Sequence, residues 1–248
     1  MQKTGLALGG GAVLGAAHVG VLKALEEKNV TVTHIAGTSI GAFAAAFYAF
    51  SKKSVDIQEI ASKLKWIDIS GVAFSGKGLL SNEKLGELVV EYIGDKNLED
   101  SDIPLAMLAT DISTGEKVVL KKGPVASAVM ASTCVPGIFH PVEIDGRLLV
   151  DGGIVENVPI DTVKEMGAGY VIGVDLNAKN TFGKPENIID VIVNSFHFMM
   201  KAAVKYQTKE ADLLITPDLS SFNMIDTDQV EGLIKQGYED AVEMLKKF

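Results

Sequence analysis

The chain has 248 residues, of which 47% are hydrophobic and 22% charged, a composition typical of a globular protein with a sizeable core. Its formal net charge of −9 disfavours binding to nucleic acid, which attracts basic surfaces, and no apolar run is long enough to span a bilayer. A single cysteine, Cys134, excludes an intrachain disulfide, and the first residues lack the pattern of a secretory signal. We therefore expect a cytoplasmic protein with one domain covering residues 1–248.

The first fifty residues alternate between predicted strands and helices. Residues 4–8 form a short buried strand, which is followed by a glycine-rich loop at 9–15 and a helix from 16 to about 28. A second strand at 33–37 leads into an almost wholly apolar helix at 40–50. This order predicts a parallel sheet with right-handed crossovers, so the glycine loop and the end of the second strand should share one sheet edge.

The remaining elements complete an α/β pattern. Periodicity and turn signals predict helices at 55–66, 81–93, 125–132, 159–166, 186–208 and 226–248, and strands at 105–110, 117–120, 142–144, 147–150, 170–176 and 213–216. Asp145-Gly146 is a typical two-residue hairpin turn. The glycine-rich apolar segment 68–80 fits either a lid over a substrate entrance or a plain surface connection. Together the elements predict a central, mostly parallel sheet.

A possible nucleophile lies in the sequence Gly37-Thr38-Ser39-Ile40-Gly41, at the junction of the second strand and its helix. The pattern G-x-S-x-G at such a junction is typical of a sharp turn that exposes a serine oxygen at the positive end of a helix. Side chains at the two glycine positions would crowd the turn. The same residues also fit a serine that caps a helix, so this motif alone leaves both interpretations open.

The glycine loop is the second candidate element. Backbone N–H groups of Gly10, Gly11 and Ala12 can point at one anion beside a helix N-terminus, as an oxyanion hole requires. The loop also fits a loose dinucleotide fingerprint. That interpretation needs an acidic residue at the end of the second strand, where this chain has Thr38 and Ser39. We therefore favour an oxyanion hole and predict no cofactor.

A serine nucleophile needs a proton acceptor, and no histidine is compelling. His18 and His34 fall inside the first helix and the second strand, where structural roles are more common, His140 lies in a stiff loop between prolines, and His197 lies in mid-helix. Asp151 is better placed, because two glycines follow it and let the backbone turn tightly. Asp-Gly is also a common turn, so a purely local role for Asp151 remains an alternative.

The economical hypothesis is a dyad of Ser39 and Asp151. Asp111 and Asp175 also lie near predicted strand ends, but neither is followed by two glycines. In the dyad, the carboxylate accepts the serine proton during attack on an acyl carbonyl and later assists water in releasing the acyl group. No metal is predicted, because the histidines and carboxylates show no ligand spacing.

These motifs resemble those of bacterial patatin-like phospholipases, of the single-domain kind related to the catalytic part of neuropathy target esterase. The matching segments follow the family's order over almost the whole chain: the glycine loop with 16–22, the serine motif at 37–41, 109–111 with 114–116, 131–139, 151–153 with Asn157 and Pro159, and 211–219. The resemblance implies a patatin-type three-layer α/β/α sandwich. It also implies a Ser39–Asp151 dyad that hydrolyses carboxylic esters of phospholipids, lysophospholipids or related lipids.

The chain departs from the family pattern in the glycine loop. Leu14 stands where the family usually has an arginine, and Ala12 replaces a common glycine. Two other functions stay open: a weakly active or non-catalytic regulator that binds acyl lipids, and a soluble carboxylesterase or thioesterase. Partners are expected to be the lipid or acyl-ester substrate and, transiently, the inner face of a membrane. A cluster at 196–200 could provide such contact, although its helical setting favours the core.

Overall fold

A computed structural model of the chain describes residues 3–64, 71–75, 78–179, 184–186, 188–224 and 226–247. The strands are β1 Thr4–Leu8, β2 Val32–Thr38, β3 Gly71–Ser75, β4 Gly78–Ser81, β5 Leu105–Asp111, β6 Lys117–Leu120, β7 Val142–Ile144, β8 Arg147–Asp151, β9 Tyr170–Val174 and β10 Leu213–Ile215. The α-helices are α1 Ala16–Glu27, α2 Ile40–Ala49, α3 Ser54–Leu64, α4 Glu83–Ile93, α5 Val125–Ser132, α6 Ile160–Glu165, α7 Ile188–Gln207 and α8 Val230–Met244.

Eight strands form one sheet whose hydrogen-bonded path is β10-β9-β1-β2-β5-β8-β7, with β6 also paired to β5. Strands β10, β9, β1, β2 and β5 pair in parallel, whereas β6, β7 and β8 pair antiparallel. The predicted α/β architecture with a central, mostly parallel sheet is therefore confirmed.

Helices cover both faces of the sheet, and the residue sizes differ between the faces. On one face, large strand residues such as Leu6, Ile35 and Met107 join the main core with α1, α2, α5 and α8. On the other face, Ala7 and Ala36 alternate with them and join a smaller core with residues of α6 and α7. This three-layer arrangement is the one that the resemblance to patatin-like phospholipases implied, and it explains why the central strands are buried on both faces.

Most element boundaries match the predictions within two residues, and two regions differ. Segment 68–80 is not simply a loop, since β3 and β4 pair antiparallel within it; residues 65–70 and 76–77 lie outside the described residues. The last helix starts at Val230 rather than 226, because Asp226 accepts a hydrogen bond from the Asp228 amide and caps a short 3-10 turn. The predicted turn at Asp145-Gly146 is confirmed, with φ of 51° and 74°.

Candidate active site

Ser39 occupies a strained turn between β2 and α2. Its φ is 55° and its ψ −129°, a conformation that costs a residue with a side chain about 1–3 kcal/mol. The Ser39 side chain makes no capping hydrogen bond to the described first turn of α2, which argues against the simple N-cap interpretation. A Cβ on Gly41 would collide with the carbonyl of Leu8, so the glycine lets α2 start directly against the end of β1. Ser39 is half-buried, and its sharp turn between a strand and a helix is the geometry expected of a nucleophile elbow.

Ser132, at the end of α5, fixes the backbone of this turn. The Ser39 amide donates to Ser132 Oγ at 2.9 Å, and Ser132 Oγ donates to the Leu108 carbonyl of β5 at 2.6 Å. One buried hydroxyl therefore joins the elbow to the neighbouring strand. Ser132 falls in the family-like segment 131–139, but no role was predicted for it, because it lies 93 positions from Ser39.

Strand pairing brings Ser39 and Asp151 to the same place. Strand β6 occupies one edge of β5 from Met107 to Thr110. Strands β2 and β8 pair with residues in the same stretch, so both must lie along the opposite edge of β5. On that edge Thr38 of β2 lies opposite Leu108, and Asp151 of β8 lies opposite the next residue, Ala109. The two strands approach each other head-on, and their ends meet beside Ser39.

The Asp151 carboxyl group is fully buried, and its backbone is fixed on both sides. Its amide donates to the carbonyl of Cys134 at 2.8 Å, and its carbonyl accepts from Thr110 Oγ1 at 3.0 Å. Oδ1 accepts from the Gly153 amide at 2.8 Å. Oδ2 is buried and has no hydrogen-bond partner of good geometry among the described residues. One carboxylate oxygen is therefore anchored, and the other is available.

Burial raises the pKa of Asp151 to about 7, although hydrogen bonding from the Ser39 hydroxyl and then from the Gly153 amide opposes the rise. The Ser39 hydroxyl thus interacts with this carboxylate, but loosely, as catalytic hydrogen bonds commonly do before substrate binds. A carboxylate with a pKa near 7 can both accept and return a proton at neutral pH.

The glycine loop offers two of the three predicted oxyanion donors. The Gly10 amide points at Asn157, at 3.2 Å from Oδ1 and 3.4 Å from the backbone carbonyl. The amides of Gly11 and Ala12 have no hydrogen-bond partner within the described ranges. Ala12 has a φ of 51°, the left-handed region that favours glycine. Leu14, at the position of the family arginine, is fully buried in the core.

Two buried side chains hold the carbonyls of this loop. His18 Nε2 lies 2.7 Å from the Gly9 carbonyl, which only accepts, so Nε2 carries the proton. Burial lowers the pKa of His18 to about 4, although the contact with Gly9 opposes this, so the ring is neutral at physiological pH. Asn177 Nδ2 donates to the Gly10 carbonyl at 2.7 Å. Because C=O and N–H of one trans peptide point in opposite directions, Asn177 also sets the direction of the Gly11 N–H.

The other sequence candidates take supporting positions. Asp111 Oδ1 accepts from the amide of Ser113 at 2.9 Å, and Asp175 Oδ1 accepts from the amide of Asn177 at 2.9 Å. His197 is buried, which lowers its pKa to about 4. In the described part of the chain, no three His, Cys, Asp or Glu side chains are grouped so as to hold a metal ion.

The fold and this site match those of a known family. The model of the patatin-like phospholipase family matches residues 6–164, which include the glycine loop, Ser39 and Asp151. The chain therefore belongs to the patatin-like phospholipase family, a family of lipid acyl hydrolases.

Relatives extend this match well beyond bacteria. An uncharacterized NTE family protein of Mycobacterium tuberculosis, Rv1063c, is 36% identical over 183 residues, which are 71% of this chain and 49% of that protein. Human patatin-like phospholipase domain-containing protein 6 is 33% identical over 183 residues, 71% of this chain and 13% of the human protein. The match thus spans about half the length of the mycobacterial relative and a smaller part of the human one.

Solved structures share the fold. VipD from Legionella pneumophila aligns with 99% of this chain and 67% of its own at a TM-score of 0.56 and 15% identity. ExoU, in the ExoU–SpcU complex of the type III secretion system of Pseudomonas aeruginosa, aligns with 99% of this chain and 51% of its own at a TM-score of 0.54 and 16% identity. At such low identity these neighbours support the fold alone.

Proposed function

We propose that the chain is a serine acyl hydrolase that cleaves carboxylic ester bonds of phospholipids, lysophospholipids or related lipids through a Ser39–Asp151 dyad. The observation that carries this proposal is a strained serine that lies beside a fully buried carboxylate, one oxygen of which has no well-aligned hydrogen-bond partner among the described residues. A nucleophile beside a base of matched pKa is the arrangement that covalent acyl transfer requires.

In the acylation step, Ser39 Oγ forms a bond to the ester carbonyl carbon while its proton passes to Asp151 Oδ2. The carbonyl π electrons move to oxygen, and the amides of Gly11 and Ala12 donate to that oxyanion. When the tetrahedral intermediate collapses, the alcohol leaves with the proton from Asp151. Asp151 then takes a proton from water, whose oxygen attacks the carbonyl carbon of the acyl-serine. When this second intermediate collapses, Ser39 Oγ leaves with the proton from Asp151 and the fatty acid is released.

Labelling with a fluorophosphonate probe tests the nucleophile. The wild-type protein should react at a single serine, mapped to Ser39 by mass spectrometry of the modified peptide, and Ser39→Ala should not react. Ser132→Ala is a useful comparison, because it removes another buried hydroxyl beside the site and should slow labelling without moving it. Absence of labelling in the wild type, under conditions that label a related enzyme, would favour a non-catalytic acyl-lipid-binding protein and refute the dyad.

Substrate class is tested separately. Hydrolysis of micellar lysophospholipid should exceed that of short soluble esters and thioesters, because we assign the chain to lipid substrates. A preference for the short soluble substrates would instead identify a carboxylesterase or thioesterase.

We further propose that the protein works in the cytoplasm and contacts the inner face of a membrane transiently. No helix in the described ranges combines the length and hydrophobicity needed to cross a bilayer.

A further inference from the structure

Helix α7 presents an apolar face to solvent. At 100° per residue, Ile188, Val191, Phe198, Met199 and Tyr206 fall within about one-third of the helix circumference. Their exposed fractions are 68%, 44%, 56%, 66% and 69%. Of the nine large hydrophobic residues that are exposed in the described residues, these five share one helix, so the exposure is concentrated rather than scattered.

The opposite face of α7 explains why the helix is stable with such a surface. Phe196, Met200 and Val204 are at most 6% exposed and anchor the helix to the molecule. The helical setting of the 196–200 cluster favoured a position in the core for all of it. That assignment is right for Phe196 and Met200 and wrong for Phe198 and Met199, because helical periodicity places these on the other side.

The charges along the C-terminal part of this face are positive, although the chain as a whole has a net charge of −9. Between Asp190 and Glu210 the sequence contains no acidic residue, but it contains Lys201, Lys205 and Lys209. Lys205 and Lys209 are exposed. Apolar side chains flanked by lysines on one helix face are the combination that binds an interface with anionic lipid.

Helix α7 is also attached to the loop that follows Asp151. Gln207 accepts from the Asn157 amide at 3.0 Å and donates to the Val155 carbonyl at 3.0 Å. Met200 packs against Gly153, two residues after Asp151. Ile154 in this loop is also 41% exposed.

We propose that the exposed face of α7 docks on a lipid surface that contains anionic phospholipid. Phe198, Met199 and Tyr206 enter the boundary between headgroups and acyl chains, and Lys205 and Lys209 lie at the level of the phosphates. The inference rests on the proposed function in one respect: the surface that α7 binds supplies the ester substrate. Docking would hold the Asp151 loop, which is attached to the opposite side of α7, within about one helix diameter, roughly 10 Å, of that surface.

Binding is measured with Ser39→Ala protein, so that turnover does not change the vesicles and failure of docking is distinguished from failure of hydrolysis. Co-sedimentation uses vesicles of phosphatidylcholine alone or mixed with phosphatidylglycerol. We expect binding to the mixed vesicles and weaker binding to phosphatidylcholine alone.

Adding Phe198→Gln and Met199→Gln should weaken binding about tenfold or more, since each removes apolar area from the interface. Adding Lys205→Gln and Lys209→Gln should weaken binding to the mixed vesicles roughly tenfold and have little effect on phosphatidylcholine vesicles.

Two substitutions on other helices serve as matched controls. Val55, 67% exposed on α3, and Lys235, on α8 with 75% of its side chain exposed, should tolerate Val55→Gln and Lys235→Gln without loss of binding. Urea midpoints of all variants should agree with that of the parent protein. The proposal is overturned if the controls weaken binding as much as the α7 variants, or if the parent protein does not bind. It is equally overturned if the α7 variants bind vesicles as well as the parent protein does. If those variants also convert a dimer to a monomer in light scattering, the face joins two copies of the chain instead.

Discussion

The burial that raises the pKa of Asp151 should also destabilise the folded protein at high pH. An aspartate has an ordinary pKa of 3.8, and burial raises the pKa of Asp151 to about 7. The folded state therefore holds this proton more tightly than the unfolded state. The stabilisation from the bound proton is complete below pH 3.8 and is lost as the pH rises to about 7. Asp151→Asn, which cannot ionise, should not show this loss.

The magnitude follows from the same two pKa values. Each pH unit between them costs about 1.4 kcal/mol, so the complete loss is roughly 4 kcal/mol. From about pH 5 to about pH 8 the wild type should lose roughly 2.5 kcal/mol that the variant keeps. The difference in unfolding free energy between Asp151→Asn and the wild type should therefore grow by roughly 2.5 kcal/mol in favour of the variant. Any fixed cost of the substitution cancels in this comparison of two pH values.

Urea unfolding at the two pH values measures the effect, and activity provides a second reading of the same group. For the wild type, kcat/KM should rise with pH through about 7 as Asp151 ionises, and Asp151→Asn should have little turnover at any pH. Asp145→Asn is the matched control, because an asparagine tolerates the φ of 51° at this exposed turn. It should follow the wild type in both measurements.

Two results would refute this reasoning. If the stability difference between Asp151→Asn and the wild type were the same at both pH values, the carboxyl group would not carry a raised pKa. If Asp151→Asn kept near-wild-type turnover, another group would be the base.

The remaining predictions concern the glycine loop and the loop after Asp151. Asn177→Asp removes the donor that orients the Gly11 N–H and should lower kcat about tenfold to a hundredfold with little change in KM. Asn82→Asp removes an equally short bond, from Nδ2 to a carbonyl at 2.7 Å, and should affect kcat much less. Gly10→Ala would place a Cβ 2.8 Å from Asn157 Oδ1 and 2.9 Å from Ser39 Cβ, so hydrolysis should fall more than about a hundredfold. Lys117→Met leaves the buried Glu156 without its cation at 3.0 Å, and urea unfolding should show a loss of about 3 kcal/mol.

The sequence predicted those parts of the site whose chemistry is local. Ser39 was identifiable because the glycines, the strand and the apolar helix are its immediate neighbours. Asp151 was identifiable as a candidate because two glycines follow it. Their interaction needed more, since β2 and β8 must meet on one edge of β5. Such pairing depends on contacts between segments far apart in the chain, and local periodicity carries no information about it.

The polar supports of the glycine loop could not be predicted for the same reason. Asn157 and Asn177 reach Gly10 across 147 and 167 residues, and an isolated asparagine in a sequence has no recognisable partner. From the sequence, the amides of Gly10, Gly11 and Ala12 were equivalent candidates for the oxyanion hole, whereas in the structure the Gly10 amide already donates to Asn157. Segment 68–80 is a separate case: its glycines suggested a loop, but its apolar residues allowed a short antiparallel pair, and its role as a lid stays a prediction.

Gln207 has a mechanical consequence for α7. Its side-chain amide bonds both Asn157 and Val155, so swinging the helix outward would break two hydrogen bonds, at a cost of about 1–3 kcal/mol for each buried group left unpaired. Met200 would also lose its packing against Gly153. Helix α7 is therefore fixed to the loop after Asp151 and cannot open as a lid on its own. Access to Ser39 through movement of α7 would require the loop after Asp151 to move with it, and the Asp151 carboxylate would be displaced at the same time.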